Sequence, residues 1–250
     1  MFENLLIRCS ALGKIMGAGR TIGLTDKQKE YLETLLVKPK LTPNQQADKE
    51  SLIEKSLCKS EFDLSETAKT FIKGIVKEKI FQYDTEISSK EMEKGILVED
   101  KAIELYNDVF YKNYQKNTVT MHNTWIKGTC DIAAPSTIID IKSSWSKHTF
   151  PATKEEGKND DYEWQLRGYM WLYDKPFSEL AYCLIDTPDS LLDWENNLSI
   201  HIMGNLSEPI RCTVLKFERN QDLEEKIKAK VLECRRFANY YAAQILNKIN

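Results

Sequence analysis

The chain has 250 residues, 42% of them hydrophobic, with 35 Lys and Arg against 38 Asp and Glu for a net charge of −3. That length and apolar content suit one large domain, or a core with an appendage. The near-balance of charge excludes a global basic field, so any contact with nucleic acid must come from a local patch.

Taken from the start, Met1 to Arg8 carries an acid early and no long apolar core, unlike a signal peptide. No apolar run approaches membrane-spanning length. A short apolar element over 5–15 ends in Gly17-Ala18-Gly19-Arg20. No Gly-Lys-Ser/Thr follows, so this reads as a plain turn rather than a phosphate loop. Residues 25–88 are rich in Lys, Glu and Gln and predict helices. One is capped by Thr25-Asp26 and ends near Leu36 before Pro39 and Pro43, a second starts near Lys49, and a third runs from about Ser65 to Gln82.

Residues 89–113 predict a strong helix, with Ile96, Glu99, Ile103 and Tyr106 as one stripe. Strand candidates follow at 118–126, 127–133 and 137–144, punctuated by Gly128 and the Ala134-Pro135-Ser136 turn. A polar loop spans 146–161, and a helix runs from about Tyr162 to Tyr173. Strands are expected at 178–186 and 210–218, with 188–208 ambiguous between them. A long amphipathic helix over 222–248 closes the chain. Helix, three strands, helix, two strands, helix predicts an α/β fold with a mixed central sheet flanked by helices.

Six cysteines at 9, 58, 130, 183, 212 and 234 include no CxxC pair and form no ligand cluster with His122, His148 or His201. They read as reduced thiols of a cytoplasmic protein and argue against an iron–sulfur cluster.

The chemistry concentrates in Ile138-Ile139-Asp140-Ile141-Lys142-Ser143-Ser144. The apolar residues predict a buried strand, yet Asp140 and Lys142 share one face of it, because strand side chains alternate. Burying opposite charges this way rarely stabilises by itself. A second acid, Asp131, stands nine residues upstream, and Glu99 is aimed inward from its helix. Acids followed by acid-x-lysine suit a metal-dependent phosphodiesterase. Glu99, Asp131, Asp140 and the backbone carbonyl of Ile141 would hold magnesium at roughly 2.0–2.1 Å. Two such ions, about 3.5–4 Å apart, would brace the attacking and leaving oxygens. Lys142 would orient or deprotonate the water. Gln165 and Tyr169, four apart, share one helix face. Gln165 would bind the site's backbone or water, and Tyr169 a phosphate or base.

The order Glu99, Gly128-x-x-Asp131, Asp140-x-Lys142, Gln165-x-x-x-Tyr169 resembles the PD-(D/E)xK nuclease superfamily. More narrowly it resembles the phage lambda exonuclease, or YqaJ-like viral recombinase, branch. Lys94 to Asp100 is similar to that branch's first acidic helix, Asp140 to Ser144 to its catalytic strand, and Trp164 to Trp171 to its glutamine helix. Ile7 to Ala11 is similar to its N-terminal segment, whose serine, here Ser10, lies near the phosphate of a DNA end. The likeness spans 5–20 and 90–185. Asp140 replaces a glutamate, Cys130 stands where the signature proline would be, and the family's phosphate-binding arginine has no clear counterpart, although Arg8 is nearby.

The resemblance implies a single restriction-endonuclease-like domain. Residues 24–88 would be a helical insertion or arm, and 89–250 the nuclease core with its C-terminal helix. It implies Mg2+ (one or two ions, with Mn2+ as a substitute) and digestion of double-stranded DNA ends in phage-type recombination, in a bacterial cell or infected host. Partners would be DNA, a single-strand annealing protein and further copies in a ring, with no membrane. Catalysis would fall to Lys142, Glu99, Asp131, Asp140 and Gln165. DNA contacts would fall to Arg8, Ser10, Ser143, Ser144, Trp145, Lys147, Arg167 and Tyr169, with Lys154 and Lys158 as further phosphate contacts. Trp125 and Trp171 read as core, Trp145 as half exposed, and His148 as surface. A structure-specific or RecB-type endonuclease, and an inactive DNA-binding protein on the same scaffold, stay open as alternatives.

Overall fold

The computed structural model describes residues 1–17, 24, 26–57, 61–84, 89–192 and 197–247. The Thr25 cap, Cys58 and most of the glycine-rich turn after Gly17 lie outside those residues.

Short elements open the chain. Strand β1 (Ile7–Arg8) runs into a 3-10 turn at Cys9–Ala11 and a single-turn helix α1 (Leu12–Met16). Helices α2 (Asp26–Val37) and α3 (Pro43–Leu57) pack on each other around Leu24, Leu35 and Leu52, a cluster separate from the main cores. The second helix starts at Pro43 rather than Lys49, because proline is well suited to a first helical position. Helix α4 (Glu66–Phe81) is capped by Ser65, whose hydroxyl accepts from Ala68 N. It buries Ala68, Ile72 and Val76 in the main core, so 24–88 is not one arm; only α2 and α3 stand apart. The excursion through α2 and α3 begins and ends close together. A Cβ on Gly17 would stand 3.6 Å from Ser65 Oγ.

Helix α5 (Lys90–Phe110), capped by Ser89, buries a stripe that keeps Ile103 and Tyr106 of the expected one but is shifted away from Ile96. Lys94, Val98, Ala102, Ile103, Leu105 and Tyr106 are buried, while Ile96 is 75% exposed. Glu99 borders the buried face rather than sitting within it.

Two sheets follow. β1, β3 (Ile126–Gly128) and β2 (Met121–His122) form the smaller, in the order β1-β3-β2. The expected strand over 118–126 shrinks to β2 because asparagines take over the backbone. Asn117 Nδ2 donates to Cys130 O, and Asn123 Oδ1 accepts from Trp125 N and Ile126 N. The larger sheet has the order β4-β5-β6-β7, with β4 (Ile132–Ala133), β5 (Thr137–Ser143), β6 (Phe177–Cys183) and β7 (Cys212–Glu218). The pair β5–β6 is parallel, joined across helix α6 (Asp160–Leu172), and β4 and β7 flank it antiparallel. The last helix, α7 (Gln221–Leu246), packs on α4.

The pleat of the larger sheet divides the protein into layers. Ile139, Ile141, Ala181 and Cys183 face α5. Ile138, Leu180, Tyr182 and Leu215 face α6, with α1, α4 and α7 beyond it. No helix among the described residues is long and apolar enough to cross a membrane.

Candidate active site

Asp140 and Lys142 project from β5 on the α6 side, as their two-residue spacing requires. Asp140 is 1% exposed. Its Oδ1 accepts from Gln165 Nε2 at 3.0 Å, and the same amide donates to Tyr169 OH at 3.1 Å. Its Oδ2 lies 2.6 Å from Lys142 Nζ, yet without the alignment of a hydrogen bond, so it is a buried oxygen with charge compensation and no directed donor. Lys142 Nζ also sits 4.9 Å from the centre of the Tyr162 ring, a cation–π contact from the first turn of α6. Burial alone would lower the Lys142 ammonium. Asp140 and Asp131 outweigh it and hold the pKa above the ordinary lysine value.

Asp131 reaches the site along the edge of β5. The short β4 pairs with β5 only at Ile138 and Ile139, which leaves the next stretch of edge open. Asp131 Oδ2 takes the Ile141 N–H there at 2.6 Å. Burial, then the negative charges of Asp140 and Glu99, push its pKa up to about 7; Lys142 and the Ile141 amide work the other way. Glu99 approaches from α5, the opposite layer, and its Oε2 is 2.8 Å from Lys116 Nζ. Asp131 and Asp140 thus meet at the open edge of β5, within electrostatic reach of Glu99 from the other layer.

Close backbone packing supports this arrangement. A Cβ on Gly128 would lie 2.7 Å from Tyr169 Cε1, so glycine lets the tyrosine lie down on β3. Gly168 similarly admits Cys9 and Leu12 against α6. Cys9 feels the Asp140 charge, which, after burial, raises its thiol pKa. Its neighbours Arg8 and Ser10 are exposed.

The remaining expected contacts scatter. Tyr169 is 4% exposed and engaged with Gln165, so it braces the site from within. Ser143 is partly buried at the end of β5. Ser144 is buried, and its carbonyl accepts from Lys94. Trp145 is partly exposed, edge-on to His201. Lys147 Nζ is spent on Ser199 O at 2.8 Å. Arg167 is not brought to the site: it pairs with Glu163, donates to the Glu218 carbonyl and lies over Phe217. Lys154, Lys158 and His148 are exposed. Trp125 and Trp171 pack against the main core, under Arg235 and Lys228 respectively.

Sequence reasoning assigned no role to Lys94, which is fully buried. Its ammonium donates to Ser144 O at 2.7 Å, Trp145 O at 2.9 Å, Ile185 O at 2.8 Å and Thr187 Oγ1 at 2.9 Å. It pins the ends of β5 and β6 to the first turns of α5. Burial lowers its pKa to about 8, against a small opposing pull from Asp186. The signal was present: Lys94, Val98 and Ala102 recur at helical spacing, which places a lysine on the buried stripe.

Among the described residues, no three acid, histidine or cysteine side chains stand close enough to cage a metal as they are. Two observations still fit a hard divalent cation. Asp140 Oδ2 lacks a directed donor, and Asp131 carries the repulsion of two other carboxylates. A cation with oxygen ligands would answer both. Glu99 is the acid held aside, by Lys116.

No known family's sequence profile matches the chain, and no curated protein does. Solved structures do match. A phage-related exonuclease from Haemophilus somnus 129PT superposes with a TM-score of 0.75 at 25% identity, covering 99% of this chain and 97% of that one. An alkaline exonuclease, LHK-Exo from Laribacter hongkongensis, superposes with a TM-score of 0.54 at 13% identity, over 74% of this chain and 86% of that one. The same enzyme in complex with dAMP gives 0.56 at 14% identity, over 74% and 86%. The mixed α/β, restriction-endonuclease-like fold and the likeness to phage-type exonucleases are thereby borne out.

Proposed function

We propose that this chain, which has the fold of the lambda-exonuclease branch of PD-(D/E)xK nucleases, is a magnesium-dependent exonuclease that hydrolyses phosphodiester bonds from DNA ends. The observation that carries the reading is Lys142 at 2.6 Å from the buried Asp140, with Asp131 beside them on an open strand edge. Nothing in the packing requires those charges, and burying them is costly.

Asp131, Asp140 and the Ile141 carbonyl would hold the magnesium ion, with Glu99 joining once released from Lys116. The ion would supply Lewis-acid polarisation of the scissile phosphate. Lys142 stays an ammonium beside two carboxylates, so it acts as a donor. It orients the attacking water and offsets negative charge growing on the phosphorane. Its side chain is 25% exposed, enough to meet a phosphate arriving from solvent. Gln165 fixes the rotation of the Asp140 carboxylate and so keeps Oδ2 turned to Lys142. Arg8 and Ser10, both exposed beside the buried Cys9, would meet the phosphate of an end.

The Haemophilus protein is a phage-related exonuclease, which supports a role in phage-type recombination, with a single-strand annealing protein and a ring of copies as the partners to seek. The dAMP held by the Laribacter enzyme supports a deoxynucleotide substrate class. The test is end-labelled linear duplex against closed circular DNA, in magnesium, with Asp140→Asn as control. Loss of label from linear DNA alone, abolished by D140N, is expected. Cleavage of circles at the same rate would make the protein an endonuclease, and cleavage undiminished in D140N would remove this site from the reaction.

A further inference from the structure

Lys116 lies in an irregular segment between α5 and β2. Its Nζ is 2.8 Å from Glu99 Oε2 and 3.6 Å from Asp100 Oδ1. The backbone around it is fixed. The adjacent Asn117 donates its N–H to the carbonyl of Asp131 at 2.7 Å, and its side-chain amide to Cys130 O at 2.9 Å and to Tyr173 OH at 3.0 Å. Upstream, Tyr114 N donates to Asn107 Oδ1 at 3.0 Å. The Lys116 side chain itself is 41% exposed, and that of Glu99 27%. An anchored segment, bonded to the backbone of Asp131, therefore delivers a half-exposed ammonium onto Glu99.

We propose that Lys116 is a built-in competitor for Glu99: its ammonium occupies the carboxylate, and a divalent cation must displace it to gain Glu99 as a ligand. This rests on the metal-dependent reading above. Two opposing physical effects set the balance. Exposed ion pairs are weak and readily exchanged, so the pair yields to a doubly charged ion. The lysine also repels that ion from a few ångströms away. Lys116 thus sets a threshold for metal loading, and with it a reason why acids from two layers do not already form a three-carboxylate cage. Displacement breaks only the ion pair, so the backbone anchors of Asn117 need not move.

The experiment is titration calorimetry with Mg2+, and separately Mn2+, on the wild-type chain, Lys116→Met, Lys116→Arg and Asp140→Asn, each checked for folding by thermal melting. Removing the competitor should tighten metal binding about three- to tenfold in K116M, leave K116R within about twofold of wild type, and abolish binding in D140N. Unchanged or weaker binding in K116M, with wild-type binding still dependent on Asp140, would overturn the competitor role and leave the nuclease reading standing. Absence of Asp140-dependent metal binding in the wild type would overturn both.

Discussion

Strand β5 ends between two lysines, one fully buried and one partly so, that solve the same electrostatic problem in opposite ways. On the α6 side, Lys142 faces Asp140 at 2.6 Å, with a second acid nearby and a quarter of its side chain open to water. From the α5 side, Lys94 has no exposure, and its close partners are three backbone carbonyls and a threonine hydroxyl. Carbonyl dipoles satisfy an ammonium without a movable counter-charge, so Lys94 is a clamp. A carboxylate shared with other carboxylates and open to solvent leaves charge available for chemistry, so Lys142 is placed to act. Charge burial by itself distinguishes neither; the type of partner does.

Substituting each lysine by methionine separates the two. Lys142→Met should lower the cleavage rate about a thousandfold or more while costing roughly 1–3 kcal/mol of stability, read from kcat and from denaturant melts. Lys94→Met should do the reverse. It strips the ammonium from the buried Ser144 and Ile185 carbonyls, while Trp145 O keeps the Thr187 hydroxyl; the loss costs roughly 3–5 kcal/mol and lowers Tm by about 10 °C, with much of the activity per folded molecule retained. If the two variants behaved alike, the comparison would fail.

The next effect sharpens the Lys142 side. Folded Asp131 keeps its proton up to about pH 7, against 3.8 for an ordinary aspartate. The folded state binds more protons than the unfolded one between those values, so this group drains stability as pH rises through that window. Without added metal, Asp131→Asn should melt higher than wild type by roughly 2–4 kcal/mol near pH 8, and the gap should close by about pH 4. The same variant should lose metal-induced stabilisation. Smaller still, Gln165→Ala frees the Asp140 carboxylate to rotate and should slow cleavage about 10- to 100-fold, with a modest stability loss. Smallest for activity is Leu35→Ala. It opens the little core of α2 and α3 and should lower protection of their amides from hydrogen exchange, yet leave DNA cleavage unchanged.

Asp140 and Lys142 were legible in the sequence because strand alternation is a local rule, and the long helices because their caps and stripes are local as well. The Ile96 stripe was half right. Periodicity reports which residues share a face, not how far round the helix the buried arc runs: Ile103 and Tyr106 are buried as expected, while the arc swings toward Lys94 and leaves Ile96 in solvent. The burial of Lys94 was signalled by its spacing with Val98 and Ala102, but what it bonds was not: three of its four partners are main-chain carbonyls, which leave no mark in a sequence. The Arg167 contact failed because Glu163, one turn earlier on the same helix, and the end of β7 claim that guanidinium. Lys116 carried no signal at all: it meets Glu99 only through the course of an irregular segment.

Gly17 and Ser65 are neighbours although 48 positions separate them, and α2 and α3 lie between. A detour that returns to its point of departure adds little strain to the path it interrupts, whatever its length. The helical pair is therefore a cassette. Lengthening or trimming it would leave the packing around Asp140 and Lys142 as it is.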